Sequence, residues 1–140
     1  MTDIELALKP ARPEGRRGPM RGVSYGVLPR QRLDVYMPKV GARAIVLFIH
    51  GGGWVSGTRR HYPLLGHTLT RHGFACVVPD YHLFPKARFP GFVEDGARAF
   101  KWTHDHAVQI GGRRLPIFVM GHSAGAHIAV VAFQAHTRAA

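Results

Sequence analysis

One stretch constrains this chain more than any other. It is Gly121-His122-Ser123-Ala124-Gly125, set between the apolar run Leu115 to Met120 and an alanine-rich helical pattern over Ala124 to His136. An apolar strand, a tight Gly-x-Ser-x-Gly turn and a helix in direct succession predict a sharp elbow that exposes the Ser123 hydroxyl at a sheet end. Small residues at Gly121 and Gly125 avoid clashes in such a turn, and the helix N-terminus favours negative charge beside the hydroxyl. The same pattern occurs again at Gly22-Val23-Ser24-Tyr25-Gly26, so the pattern alone is a weak signal. Ser24 has no buried strand before it and no helix after it, and reads as a loop serine.

A second motif, His50-Gly51-Gly52-Gly53-Trp54, follows the apolar run Ala44 to Ile49. Three glycines let the backbone turn sharply and point N–H groups into a cavity. An oxyanion hole needs donors preset where a carbonyl oxygen becomes negative, and losing one typically costs ~3–4 kcal/mol of transition-state stabilisation. In the elbow arrangement one donor belongs to the residue after the nucleophile, here Ala124, and another to a glycine loop of this kind. A phosphate-binding loop is the alternative, but G-x-G-x-x-G spacing and a following Lys-Ser/Thr are both missing.

Both motifs sit in an alternating pattern. Residues 1–30 are rich in Pro, Gly and Arg and read as an irregular leader. Leu33 to Met37 alternates apolar and polar, as a half-buried strand does. Ala44 to Ile49, Phe74 to Val78 and Leu115 to Met120 are continuous apolar runs, the mark of strands buried on both faces. Helical patterns cover Tyr62 to His72, Phe92 to Ile110 and Ala124 to His136. Strands alternating with helices predict an α/β fold with a doubly wound, mostly parallel sheet, whose active groups lie at the carboxyl ends of strands.

Composition bounds the partners. The 140 residues suit one domain, and 46% hydrophobic content rules out a disordered composition. The net charge of +11 comes from 19 Lys and Arg against 8 Asp and Glu. The clusters Arg12/Arg16/Arg17/Arg21, Arg59/Arg60 and Arg113/Arg114 fall in separate loops without interleaved aromatic residues. They read as solvated surface, and no nucleic-acid partner is expected. No apolar run nears the roughly 18 residues a membrane span needs, and no secretory signal pattern opens the chain, so the expectation is cytoplasmic. The single Cys76 reads as a small buried hydrophobe. His61, His67 and His72 lack a carboxylate or thiolate partner at ligand spacing, so neither metal nor cofactor is expected.

The two motifs at this separation resemble the α/β-hydrolase superfamily. The likeness is to its esterase/lipase branch with an HGGGW loop, the hormone-sensitive-lipase-like and acetyl- or feruloyl-esterase-like carboxylesterases. It runs from Leu33 (LDVYMP) through VVPDYHLFP at Val77 to Pro85, then FPGFVEDGARAFKW, to GHSAGAHIA. The resemblance implies Ser123 as nucleophile, attacking small-molecule esters through an acyl-enzyme. It implies Gly52, Gly53 and Ala124 as oxyanion donors, with His50, Gly51, Trp54, Gly121, His122 and Gly125 as structural support. It also implies a tyrosine-bearing strand end at the pocket floor; Leu83 and Phe84 hint at an apolar pocket.

Three departures stand out. His82 replaces the arginine usual after the tyrosine, and Lys86 replaces the glutamate usual after the proline. The third is larger: such hydrolases take their acid and histidine from beyond the elbow, yet Ala124 to Ala140 hold no Asp or Glu. Residues 31–140 therefore read as the N-terminal part of an α/β-hydrolase domain, truncated after the elbow helix and inactive or weak alone. His127, one helical turn after Ser123, reads as a packing residue, and no base is assigned. The strand before the elbow would then be an apolar edge open to self-association or a second chain. A non-catalytic remnant or interaction module, and an amidase of the kynurenine-formamidase type, are the other readings.

Overall fold

The computed structural model describes residues 18–139, and the side chains of residues 18–134. Ten of the sequence motifs' residues, from His50 to Gly125, lie within it; Arg12, Arg16 and Arg17 lie outside the described residues.

Five strands form one sheet: β1 (Met20–Ser24), β2 (Arg32–Tyr36), β3 (Ala44–Ile49), β4 (Phe74–Pro79) and β5 (Ile117–Gly121). Their spatial order is β1-β2-β4-β3-β5. β2 pairs antiparallel with both neighbours, while β4, β3 and β5 run parallel. The helices are α1 (Pro63–Arg71), α2 (Gly91–Asp105), α3 (Ala107–Gly111) and α4 (Ala124–Ala139).

The period-2 geometry of β3 explains the layering. Ile45, Leu47 and Ile49 enter a core shared with Phe92, Ala99, Phe100 and Trp102 of α2 and Ile128 of α4. Phe48, alternating with them, joins Tyr36, Cys76 and Val78 in a second core closed by Tyr62, Leu65 and Leu69. All six β3 residues are therefore buried, as a strand covered on both faces requires. Cys76 is buried, and burial pushes its thiol up to about 12.

The strands and helices depart from the sequence reading in four places. Residues 20–24, inside the stretch read as an irregular leader, form β1; the Asp34 carboxylate fixes its bulge by accepting the Gly22 N–H at 2.8 Å. β2 is buried on both faces rather than one, because Asp34 is itself covered and paired. The helix over 92–110 breaks at His106, whose ring stacks on Trp102 at 4.3 Å and whose Nδ1 lies 2.7 Å from the Trp102 carbonyl. That side-chain contact competes with the helical ladder, and the chain restarts as α3. Finally, β5 alternates: Ile117 and Val119 pack inward, while Phe118 and Met120 are 58% and 43% exposed. The reason is that α1 covers β2, β3 and β4 but not the same face of β5. Among the described residues, no helix is long and apolar enough to cross a membrane.

Candidate active site

The two motifs meet at the carboxyl ends of β3 and β5. These strands pair in parallel from Ile45 with Ile117 to Ile49 with Gly121. The chain leaves β5 through His122, whose N–H donates to the Ile49 carbonyl at 3.1 Å. Ser123 then takes φ 54°, a left-handed conformation uncommon for a residue with a side chain. The helix starts at once: Ala126 N–H and His127 N–H donate to the Ser123 carbonyl at 2.9 and 3.2 Å. Gly125 lies so close to β3 that a Cβ there would run into the Ile49 and His50 carbonyl oxygens. Only glycine lets α4 begin against the end of that strand. Ser123 is exposed, and as the first residue of α4 Ala124 has an N–H with no intrahelical acceptor.

The glycine loop faces this elbow. Gly52, Gly53 and Trp54 have φ 135°, 62° and 63° in succession. The Gly52 carbonyl accepts from Val55 N–H (3.2 Å), Ser56 N–H (3.1 Å) and Ser56 Oγ (3.0 Å), closing a tight turn. A side chain at Gly52 would collide with the Ser56 carbonyl. Gly51 approaches the elbow so closely that a Cβ on it would lie 2.7 Å from His122 Nδ1 and 3.3 Å from the Ser123 Cβ. The sequence placed these motifs after separate strands; strand pairing brings them into contact.

Beneath the loop, His50 is fully buried. Its Nδ1 lies 2.7 Å from the Gly51 carbonyl, so that nitrogen carries the proton. Its ring stacks on Tyr81 (4.5 Å) and toward Tyr62 (6.1 Å). Burial lowers its pKa below the usual 6.5, against the pull of the Gly51 carbonyl and of Asp80. Nε2 has no hydrogen-bond partner and lies 3.8 Å from Asp80 Oδ1.

Asp80 anchors a network that the sequence reading missed. Its Oδ1 accepts Arg59 N–H at 2.7 Å, its Oδ2 accepts the Arg59 guanidinium, and Arg30 lies 3.7 Å away. Arg59 Nε also donates to Asp34 Oδ1 at 2.9 Å. Arg59 is 9% exposed, so the reading of Arg59/Arg60 as solvated surface is corrected: Arg60 is exposed, while Arg59 bridges two buried carboxylates. Arg30 also donates to the Tyr81 and Gly57 carbonyls at 2.8 and 2.9 Å, tying the β1–β2 loop to the glycine loop. A signal existed in hindsight, since Asp34 and Asp80 stand in or beside buried strands and need a cation.

His82, where the resemblance expects arginine, keeps a charge-pairing geometry. Asp95 accepts its backbone N–H at 2.8 Å and lies 2.7 Å from its Nδ1, with Gln31 Nε2 at 3.0 Å on the other oxygen. Phe84, exposed in the following loop, donates its N–H to the Trp54 carbonyl at 2.7 Å. Ser24, at the end of β1, is followed by a turn in which its hydroxyl donates to Gly26, without an elbow. Among the described residues, no side-chain hydrogen bond reaches Ser123 Oγ, and no group of three or more His, Cys, Asp or Glu could hold a metal ion. A cavity of about 570 Å³ beside Tyr36, Arg43 and His67 lies at the opposite end of the sheet from Ser123.

Known esterases share sequence and fold with this chain. Isoprenylcysteine alpha-carbonyl methylesterase ICME of Arabidopsis thaliana is 35% identical over 114 residues, which cover 80% of this chain and 27% of that protein. Esterase LipC of Mycobacterium tuberculosis is 36% identical over 118 residues, covering 80% of this chain and 29% of that protein. A solved esterase of Pyrobaculum calidifontis superimposes with a TM-score of 0.66 at 37% identity, over 77% of this chain and 36% of that one. The chain thus spans about a quarter to a third of the length of these relatives. Residues 33–139 match the family model BD-FAE. The chain belongs to the BD-FAE family, among the α/β-hydrolase esterases.

Proposed function

We propose that this chain supplies the nucleophile and the oxyanion donors of a serine carboxylesterase. One observation carries the reading: exposed Ser123, at φ 54°, faces a glycine loop so near that a side chain at Gly51 would touch its Cβ. A strained residue held at a turn between strand and helix is the geometry that presents a nucleophile.

In the proposed reaction Ser123 Oγ attacks the ester carbonyl carbon and gives up its proton to a base. The carbonyl oxygen becomes an oxyanion, held by the N–H groups of Gly52, Gly53 and Ala124. Collapse expels the alcohol, which takes the proton back, and leaves an acyl-Ser123 ester that water hydrolyses to the acid. His50, Gly51, Trp54, Gly121, His122 and Gly125 hold the two backbone segments in place. The base lies outside the described residues in this proposal, on further polypeptide of the same or another chain. Without it, oxyanion donors and binding alone give at most ~10³–10⁴-fold over water.

The test is stoichiometric acylation by p-nitrophenyl acetate, read by peptide mass spectrometry. An acetyl adduct on Ser123, absent in Ser123→Ala, supports the proposal. Equal hydrolysis by the parent and Ser123→Ala chains, with no adduct, rejects it. A second reading, an interaction module, has its own observation: the exposed Phe118 and Met120 on the last strand of the sheet.

A further inference from the structure

The glycine loop contains its own problem. Gly52, Gly53 and Trp54 all have positive φ, and Trp54 carries a Cβ. Such a conformation persists only where its surroundings over-determine it. The loop's internal hydrogen bonds end on the Gly52 carbonyl, and the Phe84 N–H holds the Trp54 carbonyl at 2.7 Å, but neither holds the indole.

The Trp54 ring is held between two elements. On one side lies Phe92, buried at the start of α2, with centroids 6.3 Å apart. On the other lies His127 of α4, edge-on at 5.8 Å and 81°. Edge-to-face contact is the geometry that aromatic quadrupoles favour. The His127 ring is itself bracketed by Phe89, 6.4 Å away. Meanwhile the His127 N–H donates to the Ser123 carbonyl at 3.2 Å. One residue thus touches the nucleophile's backbone and the indole that ends the glycine motif. It lies in the first turn of α4, directly after the elbow.

We infer that His127 is a positioning residue: its imidazole clamps Trp54, and through it fixes the left-handed glycine turn that faces Ser123. This inference rests on the hydrolase reading for its purpose, but not for its geometry. It also gives the ring a task that requires no proton transfer.

The chain has two tryptophans, so Trp102→Phe leaves Trp54 as the single indole. In that background, acrylamide quenching of Trp54 emission is compared for the parent, His127→Ala and His127→Phe, together with the rate of Ser123 acetylation. The clamp predicts that His127→Ala roughly doubles the quenching constant and slows acylation about tenfold at saturating ester, with half-saturation unchanged, since misplaced donors cost rate rather than binding. His127→Phe, which restores a ring edge, returns both toward the parent. Unchanged quenching in His127→Ala, with acylation intact in the parent, overturns the clamp and leaves the hydrolase reading standing. If no chain acylates Ser123, the hydrolase reading fails, and quenching alone decides the clamp. Should His127→Ala lose the parent's far-UV spectrum, His127→Gln, which keeps a long side chain but no ring, takes its place under the same criteria.

Discussion

Tyr81 lies flat against His50, with ring centroids 4.5 Å apart and 22° between planes, and its hydroxyl donates to the His50 carbonyl at 2.9 Å. The residue that opens the glycine loop is thus covered by the second residue after β4. Burial is also what pushes the Tyr81 phenol up to about 12.

A pH dependence of stability follows from that cover. Burial holds the folded His50 below its ordinary 6.5, so between the two values the unfolded chain binds more protons. The stability from neutral His50 is complete above about 6.5 and is lost as pH falls toward the folded value. The urea midpoint should drop between about pH 8 and about pH 5, and drop less in His50→Gln. A midpoint that rises on acidification would contradict this.

Arg59 and Arg60 are neighbours in sequence with opposite surroundings. Arg59→Leu leaves two buried carboxylates short of their shared cation and should cost about 3–5 kcal/mol. Arg60→Leu, at the exposed position, should stay within about 0.5 kcal/mol of the parent. Guanidinium denaturation of both variants checks the pair, and equal losses would mean that the Asp34–Arg59–Asp80 bridge does not carry stability.

Much of this was legible in the chain. Both motifs, the strands at Ala44–Ile49 and Phe74–Pro79 and the elbow helix follow from apolar runs and glycine placement, which act locally. Arg59 was not legible, because its burial depends on Asp34 and Asp80, which come from distant positions. β1 was hidden for a related reason: its bulge at Gly22 breaks the alternation, and a carboxylate on the next strand supplies what the pattern lacks. The approach of Gly51 to the elbow was likewise invisible, since it depends on the β3–β5 register.

Ser123 stands in a conformation that suits glycine. Ser123→Gly should therefore stabilise the fold by about 1 kcal/mol relative to Ser123→Ala, since both lose the hydroxyl but only glycine relaxes the left-handed strain. Thermal melts of the two variants decide it. Equal melting temperatures would mean that the turn is not strained.

From the exposed face of β5 we propose self-association of this chain. Among the described residues β5 has a neighbour on one side only, and Phe118 and Met120 present apolar surface on it; such edges invite pairing. Sedimentation equilibrium should show reversible association that the double variant Phe118→Lys/Met120→Lys abolishes. A monomer at every concentration would remove this partner.

The pairing of β3 with β5 carries a consequence in time. Partners such as Ile45 and Ile117 are about seventy residues apart in the chain, and contacts of such separation form slowly. During synthesis the glycine loop emerges long before the elbow that it faces. Until β5 docks, the glycine loop and the elbow of a growing polypeptide stay apart, and the face that they form together is completed only by that pairing.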